Sequence, residues 1–183
     1  MSTMKKQAFP VKRLVMDAML IALYVVLGMF RIQIGNALRI NFAPFAVILC
    51  ALTFGPVDGL IVGFMAEFLT QILGPYGLTP TTALWCVGEA SRGLLLGFCA
   101  WGLRQRVDKK LVLTILCCVL TGIVAAFGNT LAVYVDSKMF GYYSYEIVFG
   151  VLFIRLAMYT VVSALLGYIC IPVIKALRKT KLI

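Results

Sequence analysis

The stretch RLVMDAMLIALYVVLG, residues 13–28, starts on a basic residue and then runs apolar, broken only by Asp17. At a rise of about 1.5 Å per residue, a helix over this run crosses most of a hydrocarbon layer ~30 Å thick. Ala18 and Ala22 are four apart, so they share one helical face among bulky aliphatic neighbours. Small residues at that spacing let a second backbone come close in lipid, whereas a helix facing only lipid gains nothing from them. The motif alone fits either packing within the chain or contact with another protein.

The rest of the chain follows the same pattern. Of 183 residues, 62% are hydrophobic and 13% charged, against about half and about a quarter in soluble domains. Apolar segments fall near 14–34, 39–55, 56–75, 80–103, 111–134 and 147–174. The first is too long for a cleaved signal peptide, and Phe30 and Arg31 follow it where small residues would be needed. The second is short and contains Pro44, so taken alone it could be re-entrant.

Charge decides the count. Lys5, Lys6, Lys12 and Arg13 precede the first segment, Arg104, Arg106, Lys109 and Lys110 lie between the fourth and fifth, and Lys175, Arg178, Lys179 and Lys181 follow the last. With six spans these clusters share one side, opposite Arg31, Arg39 and Lys138. Five spans would split them. The positive-inside rule therefore predicts an all-α membrane protein of six transmembrane helices, both termini cytoplasmic, in a single integral membrane domain over 1–183. GPVDG (55–59) is the expected inner turn. GPYGLTP (74–80) is the expected outer one, with Thr79 as N-cap and Pro80 as first helical residue.

Several classes drop out. There is no histidine, which removes His-based triads, HExxH sites and His proton relays. Cys50, Cys86, Cys99, Cys117, Cys118 and Cys170 all lie in apolar runs without a CxxC pair, and read as small hydrophobes. No GxxxxGK[ST] motif is present. No catalytic residue, metal or cofactor is expected. An autonomous transporter with Glu67 or Glu89 as proton carrier is the reading of a different class.

Ionisable groups inside a membrane are costly and usually functional. Glu67 and Gln71 lie one turn apart on the third span. Thr82, Trp85, Glu89 and Arg92 step by three, four and three down the fourth, forming one polar stripe. Asn129 lies near the outer end of the fifth. Arg155 and Tyr159 lie in the outer half of the sixth, while Arg31 and Arg39 flank the first outer loop. All fall in the outer half or near the midplane, which describes a polar cavity open to the outside. The bland alternatives are that Glu89 and Arg92 neutralise each other, that Arg155 pairs with Glu67, and that Trp85 and Tyr76 are interfacial aromatics.

A capture site without a motor needs a partner. RLVMDAMLIALYVVLG with its Ala-xxx-Ala face, INFAPFAVILCALTFGPVDGLIVGFMAEFL, GNTL at 128–131, IRLAM and IPVI together resemble an S component of an energy-coupling factor (ECF) vitamin transporter, in its folate branch. The resemblance covers nearly the whole chain. It implies a six-helix substrate-capture subunit in a bacterial cell membrane. It also implies that Ala18 and Ala22 contact a transmembrane coupling subunit bound to two ATPases. A carboxylate of Glu67 or Glu89 could accept the paired N–H donors of a pterin edge, Arg39, Arg92 or Arg155 could hold a glutamyl tail, and Trp85 or Tyr76 could stack on the rings. Gln71 and Asn129 complete the expected substrate site. Another vitamin, or a deazapurine precursor of the queuosine type, would suit the same groups.

Overall fold

The computed structural model describes residues 11–30, 32–34, 38–74, 77–103 and 110–179, with only the backbone at 32–34 and 38–40. Arg31 and Tyr76 lie outside them, as do Lys5, Lys6, Arg104, Arg106, Lys109 and Lys181. The elements are α1 (Val11–Met29), β1 (Ile32–Ile34), β2 (Leu38–Ile40), α2 (Pro44–Phe54), α3 (Pro56–Ile72), α4 (Thr82–Gly102), α5 (Leu111–Met139), a π-helical turn (Glu146–Gly150) and α6 (Leu152–Lys179). By length and composition, α4, α5 and α6 can each cross a membrane.

Consecutive helices alternate in direction. Arg13 bonds the carboxylate of Asp58 and donates to the Phe54 carbonyl at 2.7 Å, so α1 starts where α2 ends and α3 starts. Gly97, near the end of α4, lies against Pro56. Cys118 of α5 meets Gly167 of α6. One end of the bundle, here the basal end, thus carries Lys12, Arg13, Lys110, Lys175, Arg178 and Lys179. The apical end carries the β1–β2 hairpin, the α3–α4 connection and the α5–α6 connection.

The apical connection after α1 differs from expectation. Residues 32–34 and 39–40 were expected at the ends of helical spans; they form instead a short antiparallel ladder with Gln33 opposite Arg39. The helix expected over 39–55 begins only at Pro44. Asn41 Oδ1 accepts the Ala43 N–H at 2.9 Å, and Pro44 takes the first helical position, where its missing N–H costs nothing. Eleven residues give α2 a length of about 16 Å, so it covers only about half a hydrocarbon layer, and its start lies deep beneath the hairpin. Nor does Thr79 cap α4. That helix starts at Thr82, whose hydroxyl accepts the Thr79 N–H at 2.9 Å in a hydroxyl cluster with Thr81. At the other end of the chain, α5 runs to Met139 and α6 to Lys179, both five residues beyond the expected limits of 134 and 174.

Close backbone approach builds the middle of the bundle. In lipid there is little hydrophobic drive between helices, so van der Waals contact of smooth surfaces takes its place. Gly59 and Gly63 on α3 face Gly93 and Glu89 on α4. A β-carbon at Gly63 would lie 2.5 Å from the Glu89 carbonyl oxygen. On the other side of α4, Gly88 approaches Ala125 and Gly128 of α5. With its backbone held on both sides, α4 sends Glu89 and Arg92 into the space between α2 and α6.

Candidate functional site

Glu89 and Arg92 are the buried charged pair of that space, 8% and 2% exposed. Arg92 Nη1 lies 3.3 Å from Glu89 Oε2, an ion pair without hydrogen-bond geometry. Glu89 Oε2 and Arg92 Nε are both buried and have no hydrogen-bond partner among the described residues. Such atoms are rare in a settled interior, because each bears a desolvation cost of about 1–3 kcal/mol or more. Both side chains line a cavity of about 40 Å³, closed by Asn41, Pro44, Met158, Tyr159, Val162 and Ser163. That volume admits a water molecule; a vitamin requires it to widen. Met158, unbranched and flexible, is the wall residue best able to yield.

Tyr159 joins three helices at this point. Its ring faces the Arg92 guanidinium at 5.4 Å. Its hydroxyl accepts the Asn129 amide N–H at 2.6 Å. Above it, Arg155 donates to Thr130 Oγ1 at 3.2 Å, which ties α6 to α5 a turn nearer the apical end. Asn129 and Arg155 are both half-buried.

A second cluster lies on α1 and α3. Glu67 accepts the Tyr24 hydroxyl at 2.6 Å through Oε2 and the Gln71 amide at 2.7 Å through Oε1. Tyr24 is 1% exposed. Glu67, Glu89 and Arg92 all lie within electrostatic reach of both Tyr24 and Tyr159, so the two clusters face one interior. Among the described residues, Glu67, Glu89 and Arg92 bring their charges to that interior.

Of the residues singled out from sequence, Glu89 and Arg92 line the cavity, Asn129 reaches it through Tyr159, and Glu67 and Gln71 form the adjoining cluster. Trp85 is half-buried on the same face of α4 but not in the cavity wall. Arg39 lies on β2, in the hairpin above α2. Tyr24, Asn41, Met158 and Ser163 were not anticipated. The hydrophobic period of α1 does not by itself say which face turns inward, so Tyr24 carried no separate signal.

A larger cavity, about 290 Å³, opens at the basal end between Phe54, Gly55, Pro56 and Trp101. The described residues of its wall are apolar, with no carboxylate or guanidinium among them. Ala18 and Ala22 are both exposed, on the side of α1 away from the buried Asp17, Leu20 and Tyr24. Among the described residues, internal packing does not account for the notch.

Comparison with known proteins agrees with this architecture. A family profile described as "ECF-type riboflavin transporter, S component" matches residues 8–179. The chain belongs to this family. Its fold is shared with the S-component for biotin from an ECF-type ABC transporter, at 17% identity, TM-score 0.62 and 92% coverage of each chain. It is shared equally with another S component of a bacterial ECF transporter, at 17% identity and TM-score 0.63, covering 93% of this chain and 97% of that one. UPF0397 proteins of Streptococcus pneumoniae, from strains CGSP14 and ATCC 700669, are 30% identical over 92 residues. The chain spans about half the length of these relatives, 48% in each case.

Proposed function

We propose that this chain captures folate at the outer face of a bacterial plasma membrane and delivers it through an ECF coupling subunit driven by two ATPases. The observation that carries the reading is the Glu89–Arg92 pair, buried, lining a cavity and short of hydrogen bonds. A pterin edge offers N–H donors to a carboxylate and a ring oxygen to a guanidinium, and so meets both groups. Glu67, Gln71 and Asn129 extend the polar surface, and Trp85 lies on the approach. Arg155 and Arg39, nearer the apical end, suit the carboxylates of a glutamyl tail. Basic residues at the basal end support a cytoplasmic position for both termini. The exposed Ala18 and Ala22 support contact with the coupling subunit, since a second helix can come close there.

Riboflavin is the second reading, favoured by the family that the chain matches. It carries no carboxylate, so it makes no use of Arg155. The two are separated by titrating purified protein with each vitamin. Folate should bind more tightly, and Arg155→Gln should weaken folate about tenfold or more, as expected for a lost charged hydrogen bond. Tighter binding of riboflavin, unchanged by Arg155→Gln, would replace folate with the second reading.

A further inference from the structure

We infer that Tyr24 is a positioning residue that presents Glu67 to the ligand and carries the occupancy of the site to α1, the helix whose other face is open to a partner. The inference rests on the reading of Glu67 as part of the ligand site. Three observations lead to it.

The first is the bond itself. Tyr24 is buried, and its hydroxyl donates to Glu67 Oε2 at 2.6 Å across two helices. Gln71 holds the other oxygen at 2.7 Å from within α3. Among the donors described, one from its own helix and one from α1 thus hold the carboxylate. Fixing a binding group before the ligand arrives lowers the ordering cost of binding.

The second is how α1 is attached. It packs on α2 and α3. Its polar ties include Arg13 to Asp58 and to the Phe54 carbonyl at the basal end, Asp17 to Cys50 at 3.6 Å, and Tyr24 to Glu67 towards the apical end. Of these ties, the last reaches the interior that Glu89 and Arg92 share. Whatever changes at Glu67 is felt on α1 through this hydroxyl.

The third is the opposite face. Ala18 and Ala22 are exposed, and Tyr24 lies half a turn beyond Ala22 on the inward side. One short helix segment thus carries an inward contact to the site and an outward surface for a partner. A carboxylate accepts several bonds at once. A ligand donor at Glu67 therefore adds to the Tyr24 bond rather than displacing it, and hydrogen bonds in such a chain strengthen one another. Ligand should tighten α1.

The test uses the purified full chain in lipid nanodiscs, with folate and riboflavin as probes. Tyr24→Phe keeps the buried ring and removes only the hydroxyl. Gln71→Leu removes the other donor without touching α1. Affinity is measured by titration, and protection of α1 by amide hydrogen exchange with and without vitamin. In the wild type, the vitamin that binds should slow exchange across α1. Tyr24→Phe should weaken binding about tenfold and abolish that slowing. Gln71→Leu should weaken binding and leave the slowing in place at saturation. If Glu67→Gln weakens binding but Tyr24→Phe matches the wild type in both readouts, the inference fails while the ligand site stands. If Glu67→Gln leaves the affinity for both vitamins unchanged, the site reading for Glu67 fails and the inference with it.

Discussion

Gly59 on α3 and Gly93 on α4 meet backbone to backbone: a β-carbon on Gly93 would lie 2.0 Å from the Gly59 carbonyl oxygen. Neither partner is a side chain that can swing away. We predict that Gly93→Ala forces α3 and α4 apart and costs about 1–3 kcal/mol or more, the usual range for overpacking. Thermal unfolding in detergent should show a clear fall in midpoint. Gly102→Ala, at a position where a β-carbon meets nothing within 4 Å, is the control and should change little. Equal midpoints for both variants would mean that the helices do not pack through these glycines.

Topology gives a second prediction. Lys179 lies at the basal end and Lys138 at the apical end. Single cysteines at these positions, in intact cells, should differ in access to a membrane-impermeant thiol reagent. Lys138→Cys should label and Lys179→Cys should not. The reverse pattern would invert the protein in the membrane.

Coupling is separable from capture. Ala18→Trp places a bulky ring on an exposed face of α1, away from Glu67, Glu89 and Arg92. Vitamin affinity of the isolated chain should stay within about twofold of wild type, a change of less than ~0.5 kcal/mol. Uptake by cells carrying the complete transporter should be lost, because close helix approach is blocked. Full uptake in Ala18→Trp would remove this face from the interface.

The basal clamp predicts a stability effect. Asp58 is fully buried and bonded to Arg13, itself partly exposed. Without the acid, Arg13 keeps its bond to the Phe54 carbonyl, whereas a buried carboxylate left without its arginine is the costlier state. Arg13→Gln should therefore lower the thermal midpoint more than the pair Arg13→Gln with Asp58→Asn. A midpoint for the pair at or below that of the single variant would deny the clamp a structural role.

What could be read before the fold was seen follows physical rules of different range. Long apolar runs and the three-four-three spacing of Thr82, Trp85, Glu89 and Arg92 report local geometry, and both appear in α4. The notch at Ala18 and Ala22 was legible as a motif, but only the burial of Asp17, Leu20 and Tyr24 shows which way it faces. The hairpin escaped because strands of three residues, Ile32–Ile34 and Leu38–Ile40, are too short for a period of two to show. Gly59-xxx-Gly63 and Gly93-xxx-Gly97 have the spacing of close-packing motifs, but spacing alone does not say which helix each one meets. Tyr24–Glu67 and Asn129–Tyr159 span 43 and 30 residues, and no local pattern pairs them.

On the proposed reading, Glu89 and Arg92 hold ligand rather than merely each other. The measurement is vitamin affinity across four proteins: wild type, Glu89→Gln, Arg92→Gln and the double variant, each checked for folding by thermal unfolding. If both residues touch ligand, each single change should cost about 1.5–3 kcal/mol, roughly tenfold or more in affinity. The double variant should then bind more weakly than either single one. If the pair is scaffold, the damage comes from a lone buried charge, and removing both should relieve it. Recovery of wild-type affinity in the double variant would contradict the account and move the site towards Glu67, Asn129 and Arg155.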